Sequence, residues 1–262
     1  MILIDTHTHL YLEHFDDDRQ EVVRRAIDND VKYMLLPNID SKSIEPMKKL
    51  VREFPLNLFP MIGLHPTSVK ADFQKELVLI EEEIKTSTFY AIGETGIDLY
   101  WDTTYEQEQK ESLRQQIVFA YKYNLPIVIH SRNALKQIID VLNEKSLPKV
   151  RGVFHCYPGD ADTALEIVSM GYLIGIGGTL TYNKTELPAV IEAVGLKNIL
   201  LETDAPFLPP VPFRGKRNES QYVKIIASKV AEIMNLPIET IAEKTTENAF
   251  DLFKIGNSKS EV

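Results

Sequence analysis

Eight short, nearly unbroken apolar runs recur along the chain, separated by amphipathic stretches. The runs occupy 2–4, 32–37, 58–63, 89–93, 126–129, 152–154, 172–175 and 198–201. Helical periodicity covers 15–29, 40–54, 76–85, 107–123, 134–143, 162–170, 187–194, 220–234 and 237–253. In the first of these, Val22, Val23, Ala26 and Ile27 make one apolar stripe. Strands without polar alternation are buried on both faces, as in a parallel sheet covered by helices. Eight such units in 262 residues predict an α/β fold, a closed (β/α)8 TIM barrel, which needs about 250 residues. A doubly wound open sheet is the alternative, but it gathers its chemistry at one crevice. The whole chain, 1–262, is expected to be one barrel domain, with about 256–262 a frayed tail.

Metal-capable side chains follow these runs. His7 and His9 come after the first, Glu94 after the fourth, His130 after the fifth, His155 after the sixth and Asp204 after the eighth. Residues two apart on an extended strand share a side, so His7 and His9 are expected to aim both imidazoles one way. Any one of these histidines could instead be a hydrogen-bonded core or loop residue. Six candidates at strand ends round a ring converge on the C-terminal mouth of a barrel, where such folds keep their sites.

Four imidazoles and two carboxylates suffice for two divalent cations sharing a ligand, with positions left for water and substrate. Nitrogen and oxygen donors without thiolate suit Mg2+, Mn2+ or Zn2+, and equally Fe2+ or Co2+. Glu94, with two oxygens, is the candidate bridge, and Asp204 a candidate ligand and general base. Cys156 follows His155, and strand alternation predicts that it faces away from the mouth and packs.

The formal net charge of −9 argues against a structural duplex binder, which rests on many cation–phosphate contacts. Carboxylates gathered round bound cations would add to that sum without repelling a phosphate locally, so a nuclease stays open. The single cysteine rules out an intrachain disulfide, and no leader-like or membrane-spanning apolar run is evident. The expectation is a cytoplasmic protein without a membrane partner, monomeric by default.

Several stretches together closely resemble the motifs of the TatD-type metal-dependent deoxyribonucleases, a branch of the amidohydrolase-like barrels. They are Thr6-His7-Thr8-His9, Gly63-Leu64-His65-Pro66, Ile92-Gly93-Glu94-Thr95-Gly96-Ile97-Asp98, Ile129-His130-Ser131-Arg132, His155-Cys156-Tyr157 and Leu201-Glu202-Thr203-Asp204-Ala205-Pro206. The resemblance runs from about Ile4 to Phe253. It implies metal-dependent phosphodiester hydrolysis, typically of DNA from an end, by a cytosolic enzyme. It also marks His7, His9, Glu94, His130, His155 and Asp204 as metal ligands. Two stretches depart from the family pattern, Asp98-Leu99-Tyr100-Trp101-Asp102 and Tyr157-Pro158-Gly159. Neither is expected to touch a ligand, so they bear on substrate preference.

Candidate substrate contacts surround the ligands. His65 is assigned to the substrate phosphate or the leaving oxygen, with a structural hydrogen bond as its plainer role. Arg132 could hold a phosphate in two-pronged fashion or pair with Glu94 or a neighbouring acid. Trp101 could stack on a base or merely cover the mouth. Arg214, Lys216 and Arg217 belong to the most basic run of an acidic chain; such runs are usually solvated, but after strand eight this one would overhang the mouth. Glu202 is expected behind the ligands, holding a histidine or a basic side chain. Gly177-Gly178-Thr179 lacks a nucleotide-loop pattern, so close backbone packing is expected there.

The expected function is a two-metal phosphodiesterase, a deoxyribonuclease removing nucleotides from DNA ends in the manner of a 3'-5' exonuclease. An amidohydrolase-type enzyme acting on amide or lactone bonds would share the ligands, although no strand-end Lys replaces Glu94. A non-catalytic nucleic-acid-binding barrel is the third possibility.

Overall fold

Every apolar run forms a strand in the computed structural model, which describes residues 1–255; the expected tail over 256–262 lies outside the described residues. The strands are β1 (Leu3–Asp5), β2 (Val31–Leu36), β3 (Leu58–Pro60), β4 (Ile92–Asp98), β5 (Ile127–Arg132), β6 (Gly152–Phe154), β7 (Tyr172–Ile176) and β8 (Ile199–Leu201). The helices are α1 (Arg19–Asp28), α2 (Ser41–Glu53), α3 (Phe73–Thr86), α4 (Glu106–Lys122), α5 (Leu135–Leu142), α6 (Ala161–Ser169), α7 (Leu187–Val194), α8 (Val223–Met234) and α9 (Ile238–Phe253). All strand pairs are parallel, in two segments, β1 to β3 and β4 to β8.

Backbone hydrogen bonds close these segments into a ring. At one seam Ile62 N donates to Ala91 O (3.1 Å) and Gly93 N to Ile62 O (2.8 Å). At the other, Thr6 N donates to Leu201 O (3.0 Å) and Asp204 N to His7 O (2.9 Å). Asp5 clasps this second seam from within, its Oδ1 accepting from Thr203 N (2.9 Å) and its Oδ2 from Thr203 Oγ1 (2.6 Å). The chain is therefore a closed (β/α)8 barrel.

Alternation along the strands divides the core. Ile4, Leu35, Phe59, Ala91, Val128, Val153 and Leu200 fill the barrel interior, where Ala249, Leu252 and Phe253 of α9 and the following Ile255 join them. Thr246 Oγ1 donates to Ile2 O (3.1 Å) and Asn248 Nδ2 to Ile199 O (2.9 Å), so α9 stoppers the end where the strands begin. Leu3, Met34, Leu36, Leu58, Ile127, Ile129, Phe154, Ile174 and Ile199 belong to the cluster that the surrounding helices share. Each such side chain contributes about 1.5–3 kcal/mol by leaving water. With one end sealed by apolar packing, polar chemistry is confined to the other.

The strands bearing candidate ligands differ from expectation in length. β4 runs through Glu94 to Asp98, and β5 through His130 to Arg132. The cause is pairing beyond the apolar run, with Gly96 opposite His130 and Asp98 opposite Arg132. Between Ile92 and Thr95 the register slips, and a bulge of this kind re-aims a side chain; Glu94 lies within it. Gly96 has φ 143°, and a Cβ there would fall 2.0 Å from His130 O, so only glycine allows this close pairing.

Candidate active site

At the strand ends the barrel opens into a cavity of 1110 Å³. Its lining includes His9, His65, Glu94, His130, His155 and Asp204. His7 and Glu202 lie buried beside them. The six predicted ligands thus come together, although β1 ends at Asp5 and His7 and His9 sit just beyond it. The bridge between Thr8 and Ala205 continues the extended path and keeps both imidazoles on the mouth side.

Glu94 is the hub. Its Oε2 faces His7 Nε2 at 3.1 Å and His9 Nε2 at 3.5 Å. Its Oε1 faces His130 Nδ1 at 2.8 Å and His155 Nε2 at 2.8 Å, with His65 Nε2 at 3.4 Å. Asp204 Oδ1 lies 3.6 Å from His9 Nε2 and 3.8 Å from His7 Nε2. Three overlapping groups could each hold a cation: His7, His155 and Asp204; His7, His9 and Glu94; and His65, Glu94 and His130. Five imidazoles round one buried carboxylate exceed what its hydrogen bonding requires, and nitrogen and oxygen donors without thiolate suit a divalent ion. The donor set fits one or more such ions.

Neighbouring groups decide which ring nitrogen is free. Tyr11 Oη donates to Pro37 O (2.7 Å), so it accepts from His9 Nδ1 at 3.1 Å and leaves Nε2 to face the carboxylates. His155 Nδ1 lies 3.5 Å from Glu202 Oε1, with its Nε2 toward Glu94. Glu202 Oε1 also accepts from Cys156 N. Thr67 N donates to His65 Nδ1 (3.1 Å), which leaves the proton of the neutral ring on Nε2, aimed into the cavity. His65 therefore presents a donor there.

Electrostatics follow from burial and crowding. Burial works against the Glu94 carboxylate, but the imidazoles of His155, His65 and His7 more than offset it and hold its pKa well below the usual range. Burial lowers the pKa of His7, and a charge on His155 lowers it further. Burial also opposes a charge on His155, yet Glu94 and Glu202 overcome it and raise its pKa well above the ordinary value. Asp204 remains a carboxylate: burial is outweighed by the imidazole of His9, 3.6 Å away, and by the nearby His155 and His7.

Cys156 corrects the expectation that it packs away from the mouth, since it lines the cavity. β6 ends at Phe154 and Cys156 takes φ 43°, so strand alternation no longer applies. Burial, then Asp204, Glu202 and Glu94, push its thiol pKa far up, which leaves it unreactive.

Arg132 and Trp101 line the cavity as well. The Arg132 guanidinium lies 3.8 Å above the Tyr100 ring and 5.1 Å from that of Trp101. Among the described residues it makes no ion pair with an acid. Tyr100 and Trp101 are 53% and 68% exposed, an aromatic ledge open to a ligand. Arg214 stacks on Tyr182 (4.4 Å) and Lys216 on Phe213 (6.0 Å), both outside the cavity wall. Arg217 turns away from the site: its Nη1 donates to Asp18 Oδ1 (2.7 Å) and His14 O (2.9 Å), and its Nη2 to Glu219 Oε1 (3.1 Å). Held by two carboxylates, it anchors the loop. Gly178 packs as expected, since a Cβ there would meet Leu208 O at 2.2 Å.

Sequence reasoning assigned no role to Asp98 or Tyr11. Asp98 Oδ2 lies 3.0 Å from His130 Nε2, which corrects the expectation that its stretch touches no ligand; its place two residues before the aromatic pair, on the strand that carries Glu94, was the available signal. Phe207, edge-on to His9 with ring centroids 6.2 Å apart, forms another part of the wall.

A stoppered barrel whose open mouth gathers imidazoles round two carboxylates defines a metal-dependent hydrolase. Comparison with known proteins gives the same class. The chain is 38% identical over 255 residues to the uncharacterized metal-dependent hydrolase YabD of Bacillus subtilis, covering 97% of this chain and all 100% of that protein. It is 31% identical over 266 residues to the uncharacterized metal-dependent hydrolase YcfH of Escherichia coli, with 99% and 98% covered. The crystal structure of YjjV, a TatD homolog from Escherichia coli, superposes with a TM-score of 0.90 at 28% identity, covering 97% of this chain and 98% of that one. The family described as TatD related DNase matches residues 4–254, and the chain belongs to it. No helix among the described residues is long and apolar enough to cross a membrane.

Proposed function

We propose that this protein is a phosphodiesterase that removes nucleotides from DNA ends, single-stranded ends above all, with two divalent cations at the barrel mouth. The observation that carries the proposal is the division of Glu94, whose Oε2 faces His7 and His9 while its Oε1 faces His130 and His155. Each oxygen with its own imidazole pair makes half of a two-cation site, and Asp204 completes the His7 and His9 side. Mg2+, Mn2+ and Zn2+ all suit these donors. When bound, such cations lower the pKa of water toward neutrality and offset charge on the phosphate oxygens.

The side chains supply the rest. Water attacks phosphorus, Asp204 takes its proton, and the bond to the leaving oxygen breaks. His65, neutral because burial lowers its pKa, gives its Nε2 proton to that oxygen. Arg132 holds the phosphate, and Trp101 offers a face to the terminal base. Arg214 and Lys216, beyond the wall, attract the strand that follows. Glu202 steadies His155 from behind. A ring of loops round the mouth favours a free terminus over the middle of a duplex, and we assign the activity to a single-domain monomer in the cytoplasm.

End-labelled single- and double-stranded DNA, incubated with Mg2+ or Mn2+ and resolved on gels beside an assay of small amides and lactones, tests this. Stepwise shortening of single strands is expected. Cleavage confined to internal duplex sites, or turnover of the small substrates alone, would refute it.

A further inference from the structure

Asp98 divides its two oxygens between the metal-capable centre and the aromatic ledge. Oδ2 receives His130 Nε2 at 3.0 Å, while Oδ1 accepts from Tyr100 N (2.9 Å) and Trp101 N (3.3 Å). Its backbone is pinned in turn, since Asp98 N donates to Gln109 Oε1 (2.8 Å) and Gln109 Nε2 to Asp98 O (3.3 Å), with Gln109 buried on α4. The Tyr100 ring then supports Arg132. One carboxylate on a fixed strand thus touches both the ring that faces Glu94 and the turn that carries the ledge.

We propose that Asp98 is a positioning residue that couples the two: it keeps a proton on His130 Nε2, so that Nδ1 is the nitrogen offered to a cation, and it fixes the Tyr100–Trp101 turn on which Arg132 rests. The inference relies on His130 being a ligand. A ring nitrogen held by a carboxylate fixes the tautomer and the ring orientation, and loss of such a partner typically lowers metal affinity about 10- to 100-fold. Arg132 makes no ion pair among the described residues, so the place of its side chain depends on that turn.

Asp98→Asn separates the two roles. The two backbone N–H groups hold the amide oxygen on the ledge side, which leaves an NH2 group facing His130, where it cannot accept the Nε2 proton. Zn2+ affinity, measured calorimetrically, is expected to fall about 10- to 100-fold with little change in KM for single-stranded DNA at saturating metal. Asp98→Ala is expected to lose metal affinity equally and to raise KM as well, because the turn is released.

In the Zn2+-loaded protein with 15N-labelled histidine, the His130 signal, assigned by its loss in His130→Gln, is expected to show a protonated Nε2. That measurement needs no variant at Asp98 itself. Wild-type Zn2+ affinity in Asp98→Asn, or a His130 proton found on Nδ1, would overturn the proposal while leaving the two-cation site standing. Wild-type Zn2+ affinity in His130→Gln would remove His130 from the site and take the proposal with it.

Discussion

The imidazole of His7 lies flat against that of His155, with ring centroids 3.8 Å apart and planes 10° from parallel. Two charged rings at that separation repel, and burial already disfavours a proton on His7. The charge settles on His155, which Glu94 and Glu202 favour. Cations bound at the mouth must displace that proton and the one that Tyr11, Asp204 and Glu94 hold on His9 against the opposing effect of burial. Metal affinity is therefore expected to rise with pH until both rings are neutral. Calorimetric titrations at several pH values check this, and an affinity flat with pH would contradict it.

Removing the hub has the largest effect expected of any single change. Glu94→Gln keeps the shape but takes away the charge that faces every imidazole of the site. Bound metal and hydrolysis are both expected to fall by at least about 100-fold, beyond what loss of a supporting partner costs. Metal analysis of the purified variant alongside a nuclease assay decides the matter; full turnover would exclude Glu94 as the bridge.

Chelation is expected to destabilise the folded chain. A cation present at about 100 times its dissociation constant adds about 2.7 kcal/mol to stability. For a domain of this size that corresponds to a melting temperature about 5–10 °C higher. Thermal melts with EDTA and with added Mn2+ measure the difference, and identical curves would argue against a preformed cation site.

Trp101 projects into solvent, so its removal costs little stability and acts on substrate. Stacking of a base is worth about 1–3 kcal/mol. Trp101→Ala is thus expected to raise KM for single-stranded DNA about 5- to 150-fold, with the melting temperature nearly unchanged. An unaltered KM would reduce Trp101 to a cover over the mouth.

The anchoring of the loop after β8 depends on pH. The Arg217 guanidinium bonded to Asp18 lowers the carboxyl pKa to about 2, against an ordinary 3.8. A depressed carboxyl pKa stabilises the fold above the unfolded value and loses that contribution as pH falls from about 4 toward 2. Both side chains are 27% exposed, so solvent screening reduces the contribution to about 1 kcal/mol. Urea unfolding of Arg217→Ala is expected to show that deficit at pH 7 and a vanishing one near pH 2. The Arg217 guanidinium also lies 4.6 Å above the Phe15 ring, and a deficit constant with pH would assign it to that packing instead.

The eight strands and the convergence of the six candidate ligands were legible because both depend on local pattern, apolar runs and the polar residues next to them. What escaped depends on contacts between distant parts of the chain or on local backbone geometry. Arg217 looked free until Asp18 from the start of α1 met it. Cys156 left the strand alternation through one positive φ. Glu94 is aimed by a slip of register between β4 and β5 that no run of hydrophobicity encodes. Tyr11 and Asp98 act by holding a ring nitrogen, a role set by hydrogen-bond geometry and not by residue type.

The clasp of Asp5 on Thr203 spans 198 positions of sequence. His7 and His9 are translated before Asp204, which reaches them only when the eighth strand has been made and the ring can shut. Until that seam forms, a growing polypeptide lacks the Asp204 carboxylate beside those imidazoles, so the full ligand set is expected to assemble only with the closing of the ring.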